Sequence, residues 1–300
     1  MAEALNHRGE LRLQEPMARH TTWRVGGPAD RFYRPADRDD LIGFLRSLPE
    51  DEPVFWCGLG SNLLVRDGGV RGTVIFLQGG VDELRRLDDT RVHADCGVAC
   101  AKVARFAARQ NLVDAEFLAG IPGTMGGALA MNAGAFGGET WRVVEEVETM
   151  TRGGEIRRRR PSEYSVGYRS VKAPAEEWFL SCTLALRPGD GDVAMQRIRE
   201  LLAQRAASQP IGKPSCGSVF RNPEGDHAAR LIETAGLKGR RQGGALVSDK
   251  HANFIINDGT ATAADIEQLV ETVRSEIANR FGVQLEAEVR IVGEAAEDGA

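Results

Sequence analysis

Between Asp37 and Leu48 the apolar residues Leu41, Ile42, Phe44, Leu45 and Leu48 recur at helical spacing, and PVFWCGLGSN follows as a strand entering a glycine loop. The chain is therefore expected to begin with a strand–helix–strand unit. Farther on, TVIFL and RVHADCG read as strands, ACAKVARFAARQ as a helix with Val103, Phe106 and Ala107 on one face, and VVEEVETM, EIRRRR and WFLSCTLAL as strands. Strands and helices mix without strict alternation, which is an α+β pattern. After Pro188 the stripe Met195, Ile198, Leu201 and Leu202 announces a helix, and a domain boundary is expected near Gly191. Asp226 is placed to cap a helix through AARLIETA that ends at Gly236, and NFIIN reads as a short strand. Thr262 opens a long helix with the stripe Ile266, Leu269, Val270, Val273, Ile277 and Phe281. The closing run LEAEVRIV alternates strictly, with Leu285, Ala287, Val289 and Ile291 on one face and Glu286, Glu288 and Arg290 on the other. The first ten residues and the tail GEAAEDGA lack periodicity and are expected to be loose.

With 300 residues, 42% hydrophobic and 27% charged, the chain is long enough for two or three cores. No run approaches the length of apolar residues that spans a membrane, and no leader precedes the fold, so a cytoplasmic protein is expected. Cys57, Cys96, Cys100, Cys182 and Cys216 are odd in number and scattered, which argues against a disulfide framework and a zinc site. No metal is expected. A net charge of −5 leaves Arg157 to Arg160 as the one hint of nucleic acid or membrane, and TRGGEIRRRRP reads instead as a Gly-Gly turn and a solvated edge strand. Neither partner is expected. The sequence leaves the oligomeric state open, with a monomer favoured.

Two stretches could cradle phosphate: CGLGSNLL (57–64) and AGIPGTMGGALAMNAGAFGG (119–138). Backbone without Cβ approaches an anion closely and presents successive N–H groups to it. Taken singly, either loop reads as tight turns; several together among 35 glycines point to a large phosphorylated cofactor. The first loop has Leu63 where G-x-G-x-x-G needs its third glycine, and the second lacks the Lys-Ser/Thr of a P-loop. A standard Rossmann site and a nucleotide triphosphatase are thereby disfavoured.

The segments HTTWRVGGPAD, GLGSNLLVRDGG, AGIPGTMGGALAMNAGAFG, GYRS, PSCGSVFRNP, KHANFIIN and EAEVRIVGE resemble, in order, the signature segments of the UDP-N-acetylenolpyruvoylglucosamine reductase family of peptidoglycan synthesis, from about His20 to Glu294. The resemblance implies a two-part FAD-binding region of the vanillyl-alcohol-oxidase (PCMH) type and a C-terminal α/β substrate-binding lobe. Residues 1–56 and 57–190 would form the two flavin-binding parts, the latter with the closing strand near 285–294, and 191–284 the lobe. FAD would be noncovalent, since relatives that tether flavin often use a histidine in the first glycine loop and GLGSN has none. With tyrosines only at 33, 164 and 168, the chain resembles the shorter family form, which lacks a tyrosine-bearing substrate loop.

The family reaction passes hydride from NADPH to flavin and then to C3 of an enolpyruvyl ether on a UDP sugar. Such an ether accepts hydride only if its carboxylate can take up charge and a proton reaches C2. By resemblance, Arg169 in GYRS faces the carboxylate, Glu288 stabilises the enolic intermediate, and Ser218 donates the proton. Residue patterns alone leave Arg169 a surface arginine and do not separate Glu286 from Glu288. They do disfavour Ser218 as a hydrolase nucleophile, because no histidine lies in a matching motif and CGSVF is not G-x-S-x-G. The implied flavin contacts are Gly58, Gly60, Ser61 and Asn62 in the first loop, and Gly120, Ile121, Pro122, Gly123, Gly126, Gly127, Asn132 and Gly134 in the second. Asn222, Arg221, Lys250, His251, Asn253 and Tyr168 are the implied substrate contacts. The chain departs from the family where a lysine often precedes Gln-Pro: it reads Ser208-Gln209-Pro210, and Lys213 is the candidate replacement. Two other readings stay open, an FAD-dependent sugar or hydroxy-acid oxidase and a nonenzymatic flavin- or sugar-nucleotide-binding protein.

Overall fold

The computed structural model describes residues 7–174 and 176–296, so the expectations for residues 1–6 and 297–300 lie outside the described residues. Two compact units divide the chain: one takes 1–12, 32–58 and 74–204, the other 13–31, 59–73 and 205–300. Strands Glu10–Pro16, Pro28–Arg34 and Val70–Phe76 each carry the chain across this division.

The first unit starts from helix α1 (Arg38–Ser47), between strands Pro28–Arg34 and Val54–Cys57. The strand–helix–strand order is the expected one; in the sheet, strand Val70–Phe76 lies between those two. Asp37 caps α1 by accepting the Asp40 N–H, and Leu41, Phe44 and Leu45 are buried, with Phe44 stacked on Tyr33 at 3.5 Å. Asp40 turns inward and accepts from the Tyr33 hydroxyl at 2.6 Å and from the backbone N–H groups of Ala36 and Arg8. Residues 8–10 are thus held, not loose: Arg8 also pairs with Asp37, and Glu10 begins a strand.

A five-stranded antiparallel sheet forms the centre of this unit, in the order Ile156–Arg159, Val144–Thr151, Glu177–Ala185, Arg91–Asp95, Leu84–Arg86. One face packs on α2 (Cys100–Arg109) and its core of Val103, Ala104 and Ala107. Helices α3 (Met125–Met131) and α4 (Gly191–Ser208) follow, and Ile198 of α4 joins the same core. Arg157 to Arg160 do lie on and beside an edge strand, where alternation divides them. Arg157 and Arg159 pair with the nearly buried Glu177, whose carboxyl their hydrogen bonds hold down at about 2, while Arg158 faces Glu148. The five cysteines are free and buried.

The second unit packs α5 (Ala228–Thr234) and α6 (Ala263–Phe281) with the three-stranded sheet Arg241–Gln242, Ala245–Val247 and Ile255–Asn257. Thr262 caps α6 as expected, in a reciprocal capping box with Asp265, and Asp67 accepts the N–H groups of Ala263 and Ala264. Ile266, Leu269, Val270, Val273 and Ile277 are buried, but Phe281, at the last turn, is 39% exposed. The cap of α5 differs from expectation. His227 takes the cap position, Asp226 turns back to Arg230, and the Asn222 side chain accepts the Ala228 N–H at 3.1 Å. The closing strand is shorter than its alternation suggests: Arg290–Val292 pairs parallel to the three residues Leu63–Val65, and before it Ala287 makes an isolated antiparallel bridge to Phe220. Ala287 is exposed, and residues 285–289 run as extended backbone beside 219–221. Gly293 and Glu294 are also held, since Glu294 exchanges backbone bonds with Gly68 and Gly69.

On the other face of the five-stranded sheet a cavity of about 420 Å³ is lined by charged residues, none of them a predicted site residue. Arg38 is its hub. Its guanidinium bonds Asp95 and, at 2.7 Å, Glu148, which also accepts from the Ser181 hydroxyl. Burial pushes both carboxyls up, but bonds from His93, Arg38 and Ser181 outweigh it and hold both below their ordinary values. Arg38→Ala would leave two buried carboxylates without their cation and should lower unfolding free energy by about 3 kcal/mol near neutral pH, read from urea denaturation. The stabilisation is complete above the ordinary carboxylate range and is lost as pH falls through the depressed values, so parent and variant should converge in acid. An equal stability gap at acid and neutral pH would contradict this account.

Candidate active site

In the first unit the two glycine loops meet at Gly58 and Thr124. A Cβ on Gly58 would lie 2.7 Å from the Thr124 hydroxyl, so backbone approaches side chain with nothing between. Thr124 caps α3 by accepting the Gly127 N–H, while the Gly123 carbonyl accepts from Cys100 and the Met125 N–H donates to Val98. Gly126 lies against Cys96, where a Cβ would sit 2.9 Å from that side chain, and Gly120 lies against Phe136. Ile121 is buried and Pro122 exposed beyond it. The stretch 119–138 contains no charged side chain.

Arg169 occupies the tip of a hairpin, Ser165–Gly167 with Ser170–Lys172, that has no strand pattern in the sequence. Its φ of +51° is a left-handed conformation that costs a non-glycine residue about 1–2 kcal/mol. Its guanidinium donates to the Gly134 carbonyl at 3.0 Å and lies over the Tyr168 ring, which is 54% exposed. Asn132, itself left-handed and buried, donates to the Gly167 carbonyl and to Glu139 and accepts the Trp141 N–H. Its amide is thereby committed to holding the hairpin against residues 132–134. Arg169, Tyr168, Asn132 and Gly134 therefore form one cluster.

In the second unit Gly60 packs on the HTTW segment: a Cβ there would lie 2.0 Å from the His20 carbonyl, and the Gly60 carbonyl accepts the Thr22 N–H. Ser61 and Asn62 follow, half-buried. The Asn62 amide donates to the Glu288 carbonyl at 2.9 Å, and the Glu288 N–H donates to the Val219 carbonyl at 2.8 Å. Ser218 and Glu288 are thus carried on adjacent backbone. Glu286 and Glu288 are no longer equivalent: Glu286 is exposed and pairs with Arg221, whereas Glu288 is half-buried and its charge, after burial itself, helps push the Cys216 thiol up. Asn253 is buried with its amide bonded on both sides to Phe220. His251 accepts the Asn253 N–H, and burial lowers its pKa; Lys250 reaches the Ala206 carbonyl. Asn222, expected as a ligand contact, has its carbonyl engaged on α5, and Lys213 is exposed.

Among the described residues, Glu83, His93 and Asp95 form a group of possible metal ligands within 4.8 Å of one another. The Arg38 guanidinium already serves there as the cation, bonded to Asp95 and 3.4 Å from His93. No described helix is long and apolar enough to cross a membrane.

A family described as the C-terminal domain of UDP-N-acetylenolpyruvoylglucosamine reductase matches residues 209–292, and an FAD-binding domain family matches 29–159. The reductase of Alkalilimnicola ehrlichii is 65% identical, covering 96% of both chains, and that of Methylococcus capsulatus 60% identical over 96% of this chain and 95% of the other. The chain belongs to the UDP-N-acetylenolpyruvoylglucosamine reductase family. The crystal structure of the Thermus caldophilus reductase is 34% identical, covers 95% of this chain and 98% of its own, and superposes with a TM-score of 0.81. 6-Hydroxy-D-nicotine oxidase, 12% identical with a TM-score of 0.58 over 95% of this chain and 90% of its own, shares the fold. The fold is the α+β, PCMH-type flavin fold expected from the sequence.

The FAD-binding match spans both glycine loops, and an uncharged, glycine-lined backbone fits a dinucleotide pyrophosphate. Thr124 and Thr22, which shape those loops, were missed; Thr124 was detectable as a helix cap before MGGALAM. Gly60 has both a left-handed φ of +60° and a backbone carbonyl where a Cβ would go. Gly60→Ala should therefore cost at least about 2 kcal/mol in stability and strip FAD during desalting. Gly43→Ala, in the middle of α1 with open space around it, should stabilise by about 0.5–1 kcal/mol and retain FAD. Equal flavin retention in both variants would contradict the reading of the loop.

Proposed function

We propose that this chain reduces UDP-N-acetylglucosamine enolpyruvate to UDP-N-acetylmuramate with NADPH, as a step of peptidoglycan precursor synthesis. The observation that carries the reading is the identity of 65%, across 96% of the chain, with a curated reductase of that substrate. Bound FAD would supply the chemistry of taking hydride from NADPH and giving it to C3, with the backbone of the glycine loops holding it noncovalently. Arg169 faces the substrate carboxylate, where a planar guanidinium suits two oxygens whose charge rises in the transition state. Glu288, with Arg169, stabilises the enolic intermediate that this charge creates. The Ser218 hydroxyl gives its proton to C2, so the double bond becomes a CH–CH3 unit, and the serine regains a proton from solvent.

Glycines 58, 60, 120, 123, 126, 127 and 134 with Ser61, Ile121 and Pro122 are proposed to line the flavin. Arg221, Lys250, His251 and Tyr168 are proposed to face the sugar nucleotide, with Lys213 in place of the family lysine. Asn222 joins them through its amide nitrogen, its carbonyl being engaged at Ala228. The three-part division at 56 and 190 is proposed as a functional one; separate family matches at 29–159 and 209–292 support its boundary near 190, and that at 56 rests on the resemblance. A cytoplasmic monomer is the proposed working form.

Ser218→Ala should bind FAD and be reduced by NADPH like the parent, since neither step draws on this hydroxyl. Reoxidation by the enolpyruvyl substrate, followed by anaerobic stopped flow, should slow by about a hundred- to ten-thousand-fold. Ser218→Cys, which keeps an acidic hydrogen in place, should recover part of the loss. Reoxidation of Ser218→Ala at the parent rate would sink the assignment.

A further inference from the structure

Ser218 follows Gly217, whose φ is +81° and around which a Cβ would meet nothing within 4 Å. No side chain packs at the residue before the serine, and the nearest anchor on that side is Cys216, buried two residues back. The serine's position on the other side is fixed directly by Val219 and Phe220. Both are buried, and Asn253 grips both: its backbone carbonyl accepts the Val219 N–H at 2.9 Å, its side-chain carbonyl accepts the Phe220 N–H at 3.0 Å, and its side-chain NH2 donates to the Phe220 carbonyl at 2.8 Å. A side-chain amide here takes the place of a peptide group in a neighbouring strand. On the opposite flank the Val219 carbonyl accepts the Glu288 N–H, and Glu288 in turn is held by Asn62.

We infer that Asn253 is a positioning residue for the reaction, its side chain fixing the backbone two residues beyond Ser218 so that the serine hydroxyl stays aimed at the carbon it protonates; this rests on the proposed role of Ser218. The side chain is 3% exposed and both ends of its amide are taken, so it is not offered to a ligand. A nitrogen donor and an oxygen acceptor at one fixed spacing are needed to hold both polar groups of Phe220, which only Asn supplies at this length. Displacing a reacting group by about 1 Å costs on the order of a hundredfold in rate.

The test compares Asn253→Ala, which removes both side-chain bonds, with Asn253→Ser, whose hydroxyl can keep one. In the flavin-loaded protein the rate constant for reoxidation by the enolpyruvyl substrate should fall about a hundredfold in Asn253→Ala and less in Asn253→Ser, with a larger solvent deuterium isotope effect than in the parent. Flavin reduction by NADPH should keep its rate. Independently of activity, amide hydrogen exchange at Val219 and Phe220 should quicken in Asn253→Ala while exchange in α6 stays as in the parent. A parental reoxidation rate constant with only a smaller amplitude, equal slowing of both half-reactions, or loss of FAD from both variants would overturn the inference, since each marks a residue that serves the fold as a whole. If the parent itself is not reoxidised by the enolpyruvyl substrate, the functional reading fails, and unchanged exchange at Phe220 would still decide against the clamp.

Discussion

The Glu288 N–H donates to the Val219 carbonyl and the Arg221 N–H to the Glu286 carbonyl, and the placing of Ser218 beside Glu288 depends on this short backbone pairing. It joins the segment that carries Ser218 to the segment that carries Glu288, without either being part of a long strand. Such a short pairing has little stability of its own, because each hydrogen bond adds only about 1 kcal/mol net. It is secured by side-chain amides on both flanks, Asn253 on Phe220 and Asn62 on Glu288, and by Phe220 and Val289 buried in the same core. The loop that contains Gly60 and Asn62 thereby also sets the position of the glutamate. That loop in turn is fixed by the His20 carbonyl, which leaves no room for a Cβ at residue 60.

The first unit solves a related problem by different means. Arg169, proposed to face the substrate carboxylate, stands at a hairpin tip in a left-handed backbone conformation and is held by the Gly134 carbonyl, with Asn132 fixing the hairpin behind it. The glycine-rich stretch is therefore a frame for a cationic side chain as well as a lining for backbone contacts. The charged network around Arg38 lies on a different surface, lined by other residues, and its role is to let a sheet face bury carboxylates at all.

Much of this was legible in the sequence where one physical signal dominated. Helices α1 and α6 combine an apolar stripe with a side-chain cap, and both formed where expected. Helix α3 was hidden because Gly126 and Gly127 lower helix propensity; it forms because Thr124 caps it and Met125, Ala128 and Leu129 are buried. The closing run had perfect alternation, yet alternation says nothing about the length of the partner, and Leu63–Val65 pairs with only three of its residues. Glu286 and Glu288 look alike in a pattern and differ only in depth, which is a tertiary property. Asn222, Asn132 and Asn253 were expected as ligand contacts by resemblance alone, since an exposed or a buried amide reads identically in sequence. Their hydrogen bonds show amides engaged with the protein's own backbone.

The central claim is that one bound flavin connects a nicotinamide donor to an enolpyruvyl sugar nucleotide. Anaerobic addition of the two substrates in turn to the unaltered protein tests it most directly. NADPH should bleach the flavin, and UDP-N-acetylglucosamine enolpyruvate should then restore its colour with stoichiometric formation of the saturated product. A flavin that NADPH leaves oxidised but a simple sugar or hydroxy acid bleaches would contradict the account.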